Sequence, residues 1–217
     1  MAVRRTALFW MILLFLAFSA GSRGENADGW TVERFSGDLS GQMVTVTRKL
    51  WEDGALAREE TAGPLRPEMV FALRCMRAEL PDRALTVNFG AGNTAYVIPP
   101  DRETGEWLLE NAWRFGLTAT LETEETRERL FLRYVGPVHA AAMRSLDMDL
   151  REYLLFLRQE GRAALYRNGR TAAWIFCVPA EEAVTFTLPE DAAWEISGDG
   201  DGSVIIVLRA AGEAAKP

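Results

Sequence analysis

Apolar and polar residues alternate with a period of two along much of the chain, a pattern that predicts β-strands. The alternation is clear over residues 43–51, where Val44 and Val46 share one face and threonines take the other. Further strands are predicted over residues 30–35, 69–76, 85–89, 96–98, 114–122, 128–135, 162–167, 170–178, 184–188, 194–197 and 204–209. The first half of the chain is therefore expected to be wholly β.

Two consecutive segments have helical spacing instead. Residues 138–146 are rich in Ala and Met, and residues 150–160 predict the best-defined helix of the chain. Asp149 is placed to cap this second helix with Glu152 three positions later, and Gly161 is placed to end it. Its apolar stripe consists of Leu150, Tyr153, Leu154 and Leu157.

Short glycine-containing turns separate the strands. Asn168-Gly169 predicts a two-residue hairpin turn. The segment 90–95 (GAGNTA) resembles a dinucleotide-binding loop, but a short extended run and two prolines follow it rather than a helix that could face a pyrophosphate. A hairpin is expected there, and no nucleotide.

These elements predict a mainly β, α+β fold: an antiparallel β-sandwich-like unit plus one well-defined helix. We expect a single β-rich domain over residues 28–209, with 28–135 and 137–209 as possible lobes. Residues 210–217 lack an apolar pattern and are expected to form a disordered tail.

The N-terminus has the three parts of a secretory signal peptide, assigned to residues 1–22. Arg4 and Arg5 precede an apolar run over residues 7–20, which is shorter than the ~20 residues of a permanent membrane span, and small residues follow. The protein is therefore expected to be periplasmic or secreted, with no transmembrane segment after signal removal. Retention of the signal as an anchor is the alternative.

Export bears on the redox state of the two cysteines, Cys75 and Cys177, which both lie in apolar strand-like runs. In an oxidising compartment an even pair of this kind usually forms a disulfide, and we expect one here. Two buried reduced thiols are the alternative.

Composition excludes several function classes. The 217-residue chain has a net charge of −7, which argues against nucleic-acid binding, because phosphate contacts need clustered Lys and Arg. His139 is the single His, so the usual zinc and triad chemistries lack their residues, and it is expected at a helix start beside Pro137. No cofactor and no metal are expected.

Two acidic patterns keep chemical alternatives open. Asp199, Asp201 and Ser203 alternate in a GDGDGS segment and could offer oxygens to Ca²⁺, although a turn between two strands explains them better. Carboxylates from separate strands could serve a hydrolase of an envelope polymer, but most acidic residues lie in predicted turns.

Aromatic side chains are the candidates for a binding surface. Trp107 follows a polar loop and is the tryptophan most expected at the surface, and Trp113 lies in the same segment. Phe156 falls off the main stripe of the second helix. Such side chains can anchor a protein partner or stack on a sugar ring, and core packing is the alternative.

Several segments resemble the periplasmic accessory proteins of type VI secretion, the VasI/TagO-like group. The similar pieces are GWTV at 29–32, SGDLS at 36–40, VTVT at 44–47, the apolar segment 67–75 that ends in Leu-Arg-Cys, and, more loosely, 154–157 and 161–166. The resemblance implies an envelope accessory factor, and it carries over no catalytic residue. The sequence thus predicts an exported, monomeric or weakly associating protein that binds an envelope protein or glycan without catalysis. A carboxylate-dependent hydrolase of an envelope polymer or a glycan-binding module is the alternative.

Overall fold

A computed structural model describes residues 28–52, 54, 56, 63–80, 86–124 and 127–210. The expected signal peptide lies outside these residues, as does the expected tail from residue 211 onwards. Among the described residues, none of the helices has both the length and the apolar composition needed to span a membrane.

The described strands form three antiparallel sheets, in agreement with the predicted fold class. The strands are β1 (Trp30–Arg34), β2 (Gln42–Thr47), β3 (Thr86–Ala91), β4 (Thr94–Ile98), β5 (Leu117–Glu124), β6 (Arg127–Tyr134), β7 (Arg162–Arg167), β8 (Arg170–Pro179), β9 (Ala183–Leu188), β10 (Ala193–Gly198) and β11 (Ser203–Arg209). The sheet orders are β1-β7-β8-β11-β10, β2-β9 and β3-β4-β6-β5. Because β1 pairs with β7, the first described strand belongs to a sheet of the C-terminal half.

The two predicted hairpin turns are confirmed. Asn168 and Gly169 connect β7 to β8 with φ of 50° and 73°, the left-handed geometry that this two-residue turn requires. The segment 90–95 joins β3 to β4, with Ala91 paired to Thr94.

Helices are more numerous than predicted. In the described residues they are α1 (Arg48–Glu52), α2 (Pro67–Ala78), α3 (Arg102–Asn111), α4 (Pro137–Leu146) and α5 (Leu150–Glu160), with a 3₁₀ turn at Ala112–Phe115. The expectation of a wholly β first half is therefore wrong. Helices α4 and α5 lie where the sequence placed them, and Asp149 and Glu152 form the expected capping box.

Helix α2 replaces the strand predicted over 69–76. Its buried residues Met69, Leu73 and Met76 recur at helical spacing, although Met69 and Leu73 also suit a period of two. Pro67 in the first turn has a backbone torsion suited to a helix start, and Glu68 lies at the positive end of the helix dipole. These local signals favour the helix.

The buried residues form three clusters. Strand β11 shows how two of them share one sheet: Ile205 and Val207 face the cluster covered by α4 and α5, while Val204, Ile206 and Leu208 face the cluster covered by the β2-β9 ribbon. This second packing is the sandwich-like part of the fold. The third cluster lies between the β3-β4-β6-β5 sheet and helices α2 and α3.

Candidate functional site

A cleft of about 480 Å³ lies between strands β5 and β6 and the junction of α4 with α5. This volume falls within the ~300–1,000 Å³ usual for small-ligand sites. It is lined by Leu109, Ala112, Trp113, Leu117, Thr118, Ala119, Thr120, Phe131, Arg133, Ala140, Met143, Arg144 and residues 147–151. The cleft is thus bounded by a sheet face on one side and by a helical wall on the other.

The alternation of β6 explains the sheet side of the cleft. Leu130 and Leu132 are fully buried in the cluster beneath α2 and α3. Residues Arg129, Phe131 and Arg133 therefore project from the opposite face of the strand. On the neighbouring strand, the register pairs Thr120 with Phe131 and Thr118 with Arg133.

Rings and guanidinium groups contact one another on this face. The Tyr96 and Phe131 ring centroids are 5.1 Å apart, and the Arg129 guanidinium carbon lies 4.5 Å from the Tyr96 centroid. Arg129 Nε donates to a Glu122 carboxylate oxygen at 3.3 Å. We refer to Tyr96, Arg129, Phe131 and Arg133 as the aromatic–guanidinium face. Its cation–π contact and ion pair hold the Arg129 guanidinium against the sheet.

Charged side chains line the helical wall. Asp147 ends α4 in the left-handed conformation, with φ of 52°, and Asp149 begins α5. The Asp149 carboxylate accepts the Glu152 backbone N–H at 2.8 Å, so one of its oxygens serves the helix cap. Arg144 and Arg151 add two exposed guanidinium groups. Together with Arg133, the cleft has three cations and two carboxylates.

Gly116 lies where the sheet side of the cleft meets its helical wall. It has φ of 76°, and its carbonyl accepts the backbone N–H groups of Val135 and Gly136 at 2.9 and 3.1 Å. An added Cβ would lie 3.0 Å from the Pro137 nitrogen and 3.1 Å from the Gly136 carbonyl carbon. This close backbone approach places the start of β5 beside the start of α4.

His139 has a structural position, as the sequence predicted. It lies in the first turn of α4, and its Nδ1 is 3.0 Å from the Tyr153 hydroxyl of α5. Burial, assisted by the nearby Arg209 cation, lowers its pKa from 6.5 to about 3, so the ring is neutral at physiological pH. Burial also raises the pKa of Tyr153. Neither side chain lines the cleft.

In the acidic turn between β10 and β11, both carboxylate oxygens of Asp199 accept hydrogen bonds from other groups of the protein. Asp199 Oδ1 accepts the backbone N–H groups of Asp201 and Ser203, and Oδ2 accepts Arg158 Nε at 2.7 Å. Burial alone would raise the Asp199 pKa, but these donors hold it below its usual value. The segment therefore forms the turn that the sequence favoured over a calcium loop.

The donor chemistry of the described residues does not provide a metal centre. No three His, Cys, Asp or Glu residues within the described ranges come together in a group that could hold a metal ion. Cys75 on α2 and Cys177 on β8 are both free thiols, so the disulfide expected from the sequence is not present in the structure. The pairing stays a prediction for the exported protein.

The three aromatic candidates do not form one patch. Trp107 is half-buried, with its ring centroid 6.3 Å from that of Phe115. Trp113 is half-buried and lines the cleft. Phe156 packs against the cluster beneath α4 and α5. Of the three, Trp113 is at the candidate site. A partner-binding role for each stays a prediction.

Sequence reasoning did not identify Phe131, Arg133 or Asp147 as site residues. The alternation over 128–135 correctly places Arg129, Phe131 and Arg133 on one strand face, which was the available signal. Asp147 lies between two correctly predicted helices, and nothing local marks it as part of a cleft.

Comparison with known proteins points to peptidases. No protein-family model matches the chain. A stretch of 130 residues, 57% of this chain, is 29% identical to a D-alanyl-D-alanine carboxypeptidase of Enterococcus faecium. The match takes in 42% of that enzyme, so the chain spans less than half of its relative's length.

The fold is also that of a solved peptidase. A vancomycin-resistance D,D-dipeptidase, determined in complex with a D-Ala-D-Ala phosphinate analogue, is similar with a TM-score of 0.60. The similarity covers 78% of this chain and 99% of the dipeptidase, at 13% sequence identity. At this identity the likeness establishes the fold alone.

These comparisons correct two expectations from the sequence. The resemblance to type VI secretion accessory proteins is wrong, because the similar proteins are a carboxypeptidase and a dipeptidase. The expectation of an accessory factor without catalytic activity is overturned by the same findings. The alternative of a hydrolase of an envelope polymer agrees with them better.

Proposed function

We propose that this chain acts on peptides that end in D-alanyl-D-alanine and that the terminal dipeptide enters the cleft beside β5 and β6. The carboxypeptidase match and the dipeptidase fold support the substrate class. The observation within this chain that carries the proposal is the cleft of about 480 Å³, which has cationic and acidic side chains on facing walls. Such a site suits a short peptide with a free carboxylate.

Arg133 is the proposed carboxylate-binding residue. It lines the cleft from β6, and its Nη2 donates to the Leu56 carbonyl at 3.4 Å, a contact that helps to hold the guanidinium in place. A guanidinium matches the geometry of a carboxylate, and partial burial strengthens the attraction. Arg144 and Arg151 are exposed and contribute mainly to the positive potential around the cleft.

Asp147 is the proposed acid–base residue. Hydrolysis of a peptide bond requires a group that accepts a proton from the attacking water. Both carboxylates of the cleft lie on the helical wall, and Asp149 already uses an oxygen in the α5 cap. Asp147 follows the last turn of α4 and faces the same cleft as Arg133. A carboxylate and a guanidinium can therefore reach one bound peptide from opposite walls.

The substrate class also agrees with the expected location. Peptides that end in D-alanyl-D-alanine belong to the cell wall, outside the cytoplasmic membrane. An exported protein with the signal peptide predicted at residues 1–22 would meet this polymer in the envelope. We therefore propose an envelope location and a cell-wall peptide as the partner.

The test is a paired assay on the full chain. An N-acylated L-lysyl-D-alanyl-D-alanine peptide is incubated with the protein, free D-alanine is quantified, and binding is measured by calorimetry. We expect binding and D-alanine release with this peptide, and neither with the L-alanyl-L-alanine isomer. Absence of both binding and release with the D,D peptide would contradict the proposal.

A further inference from the structure

The similar dipeptidase has a fold used by zinc peptidases, so the donor atoms of this chain can be tested against a catalytic zinc. Such a zinc usually takes three protein ligands, drawn from His, Cys, Asp and Glu and including at least one His. The whole chain has one His and two Cys. The residues that line the cleft include two carboxylates, no His and no Cys.

The His and Cys side chains, which could supply nitrogen and sulfur ligands, also do not come together as a set of metal ligands within the described residues. His139 is buried between α4 and α5, with Nδ1 directed at the Tyr153 hydroxyl. Cys75 lies on α2, and Cys177 packs against the cluster beneath α4 and α5. Within the described ranges, these three residues do not meet one another or a carboxylate pair in a metal-binding group. The donor set does not fit zinc.

The aromatic–guanidinium face has a different chemistry, and two of its residues, Phe131 and Arg133, line the cleft. Tyr96 and Phe131 are register partners on β4 and β6, and their rings are 5.1 Å apart. Arg129 stacks over Tyr96, and Arg133 lies two residues beyond Phe131 on the same strand face. Guanidinium groups remain protonated, have no lone pair for a metal and repel a dication. This face therefore disfavours zinc and favours anionic or apolar ligand groups.

We propose that this chain has no zinc centre of its own and that Phe131 and Arg133, the two residues of the aromatic–guanidinium face that line the cleft, engage the D-alanyl-D-alanine end directly. The proposal rests on the proposed function for its ligand. Phe131 lines the cleft, so its ring can pack against an alanine methyl group while Arg133 binds the terminal carboxylate. The Tyr96 ring packs against Phe131 and itself carries the Arg129 guanidinium, which is paired with Glu122.

The first experiment measures the metal and does not depend on the substrate. The full chain is equilibrated with one equivalent of ZnCl₂, passed over a desalting column and analysed for zinc, and its melting temperature is recorded with zinc and with EDTA. We expect well below one zinc per chain and the same melting temperature in both solutions. One retained zinc per chain, with a lower melting temperature in EDTA, would overturn the proposal.

The second experiment measures the aromatic contact. We expect Phe131→Leu to weaken binding of the acylated D-alanyl-D-alanine peptide about three- to tenfold, which corresponds to the loss of one ring contact. Phe71→Leu is the matched control, because Phe71 is an exposed ring on α2 and does not line the cleft. Melting temperatures confirm that each variant is folded.

The outcomes separate the two proposals. Equal affinities of the wild type and Phe131→Leu, with both folded, would contradict the role of the aromatic–guanidinium face. A protein that retains no zinc but neither binds nor cleaves the D,D peptide would contradict the proposed function and the direct engagement, while the absence of a zinc centre would stand. Binding that requires added zinc would overturn the inference and leave the proposed substrate class supported.

Discussion

The His139 imidazole and the Tyr153 hydroxyl join α4 to α5 through a fully buried contact of 3.0 Å. The two rings also pack edge to face, with centroids 5.8 Å apart. Since Asp147 and Asp149 of the cleft lie between these helices in sequence, the pair fixes the helices that carry the acidic wall. His139 therefore helps to position the helices beside the cleft, although it does not line the cleft itself.

This pair has a predictable effect on pH dependence. The folded-state pKa of about 3 lies below the ordinary value of 6.5, so between these pH values only the unfolded chain takes up the proton. The contribution of the neutral ring to the free energy of unfolding is complete above pH 6.5 and decreases as the pH falls toward 3. We expect the free energy of unfolding to lose about 2 kcal/mol from this residue between pH 7 and pH 5.

Urea unfolding at pH 7 and pH 5 measures this loss. His139→Asn is the comparison variant, because its amide replaces Nδ1 without titrating, and the chain has no other His. The variant should be less stable than the wild type at pH 7, and the difference should shrink at pH 5. An identical pH dependence of the two proteins would contradict the assignment.

The Arg158–Asp199 ion pair should stabilise the fold through the turn between β10 and β11. Asp199 has a side chain with 0% exposure, and Asp201 has one with 70% exposure, yet both accept from Arg158. We expect Asp199→Asn to cost about 1–3 kcal/mol, because a buried charged partner is lost, and Asp201→Asn to cost less than ~0.5 kcal/mol. Chemical denaturation at pH 7 compares them directly.

The same ion pair also loses its stabilising contribution in acid, as His139 does, but at lower pH. The Asp199 pKa is held below its usual 3.8, so its stabilisation is present at neutral pH and is lost in acid as the carboxylate takes up a proton. Equal costs for the two Asn variants would show that burial does not decide the strength of these contacts.

Gly116 should be far less tolerant of substitution than another glycine with the same backbone torsion. Gly116 and Gly169 have φ of 76° and 73°, but a Cβ at Gly116 would lie 3.0–3.1 Å from backbone atoms, whereas a Cβ at Gly169 would meet nothing within 4 Å. We expect Gly169→Ala to cost about 1 kcal/mol from backbone strain, and Gly116→Ala to cost about 2–4 kcal/mol because strain and crowding add. Thermal unfolding of the pair measures the difference. Similar losses of stability in the two variants would mean that the backbone around Gly116 can move apart to accept a Cβ without a further loss of stability.

Asp147 should matter for catalysis and little for folding. Asn also tolerates the left-handed conformation, so Asp147→Asn keeps the backbone while removing the charge. We expect D-alanine release to fall at least tenfold, since the proposed proton acceptor is lost, with a melting temperature close to that of the wild type. Asp191→Asn is the control, because Asp191 is exposed, has φ of 66° and does not line the cleft. Unchanged release by Asp147→Asn would remove Asp147 from the mechanism.

Part of this architecture was predictable because its signals are local. Helix α5 was predicted together with both ends, since Asp149, Glu152 and Gly161 act within a turn of their own positions. The Asn168-Gly169 hairpin is similar, because two residues determine its turn. The strand predicted over 69–76 is wrong because Met69 and Leu73 satisfy both the helical and the strand period, and the helix-start signal of Pro67 lies outside that segment.

The cleft could not be predicted in the same way. Phe131 and Asp147 lie on different elements, and they line one cleft because Gly116 and the His139–Tyr153 contact place α4 beside β5. The polar face of β6 was visible as an alternating pattern, but the same pattern is typical of a solvated strand. Only the packing of the helical wall above it distinguishes a binding surface from an ordinary exposed face.

The most direct test of the central claim is a calorimetric titration of the wild type and Arg133→Gln with the acylated D-alanyl-D-alanine peptide and its L,L isomer. We expect the wild type to bind the D,D peptide and to discriminate against the L,L isomer. Arg133→Gln should bind about 10- to 100-fold more weakly, because a charge-assisted contact to the carboxylate is lost. Arg170→Gln, at an exposed position outside the cleft, should match the wild type. Equal affinity for both isomers, unchanged in Arg133→Gln, would contradict the account.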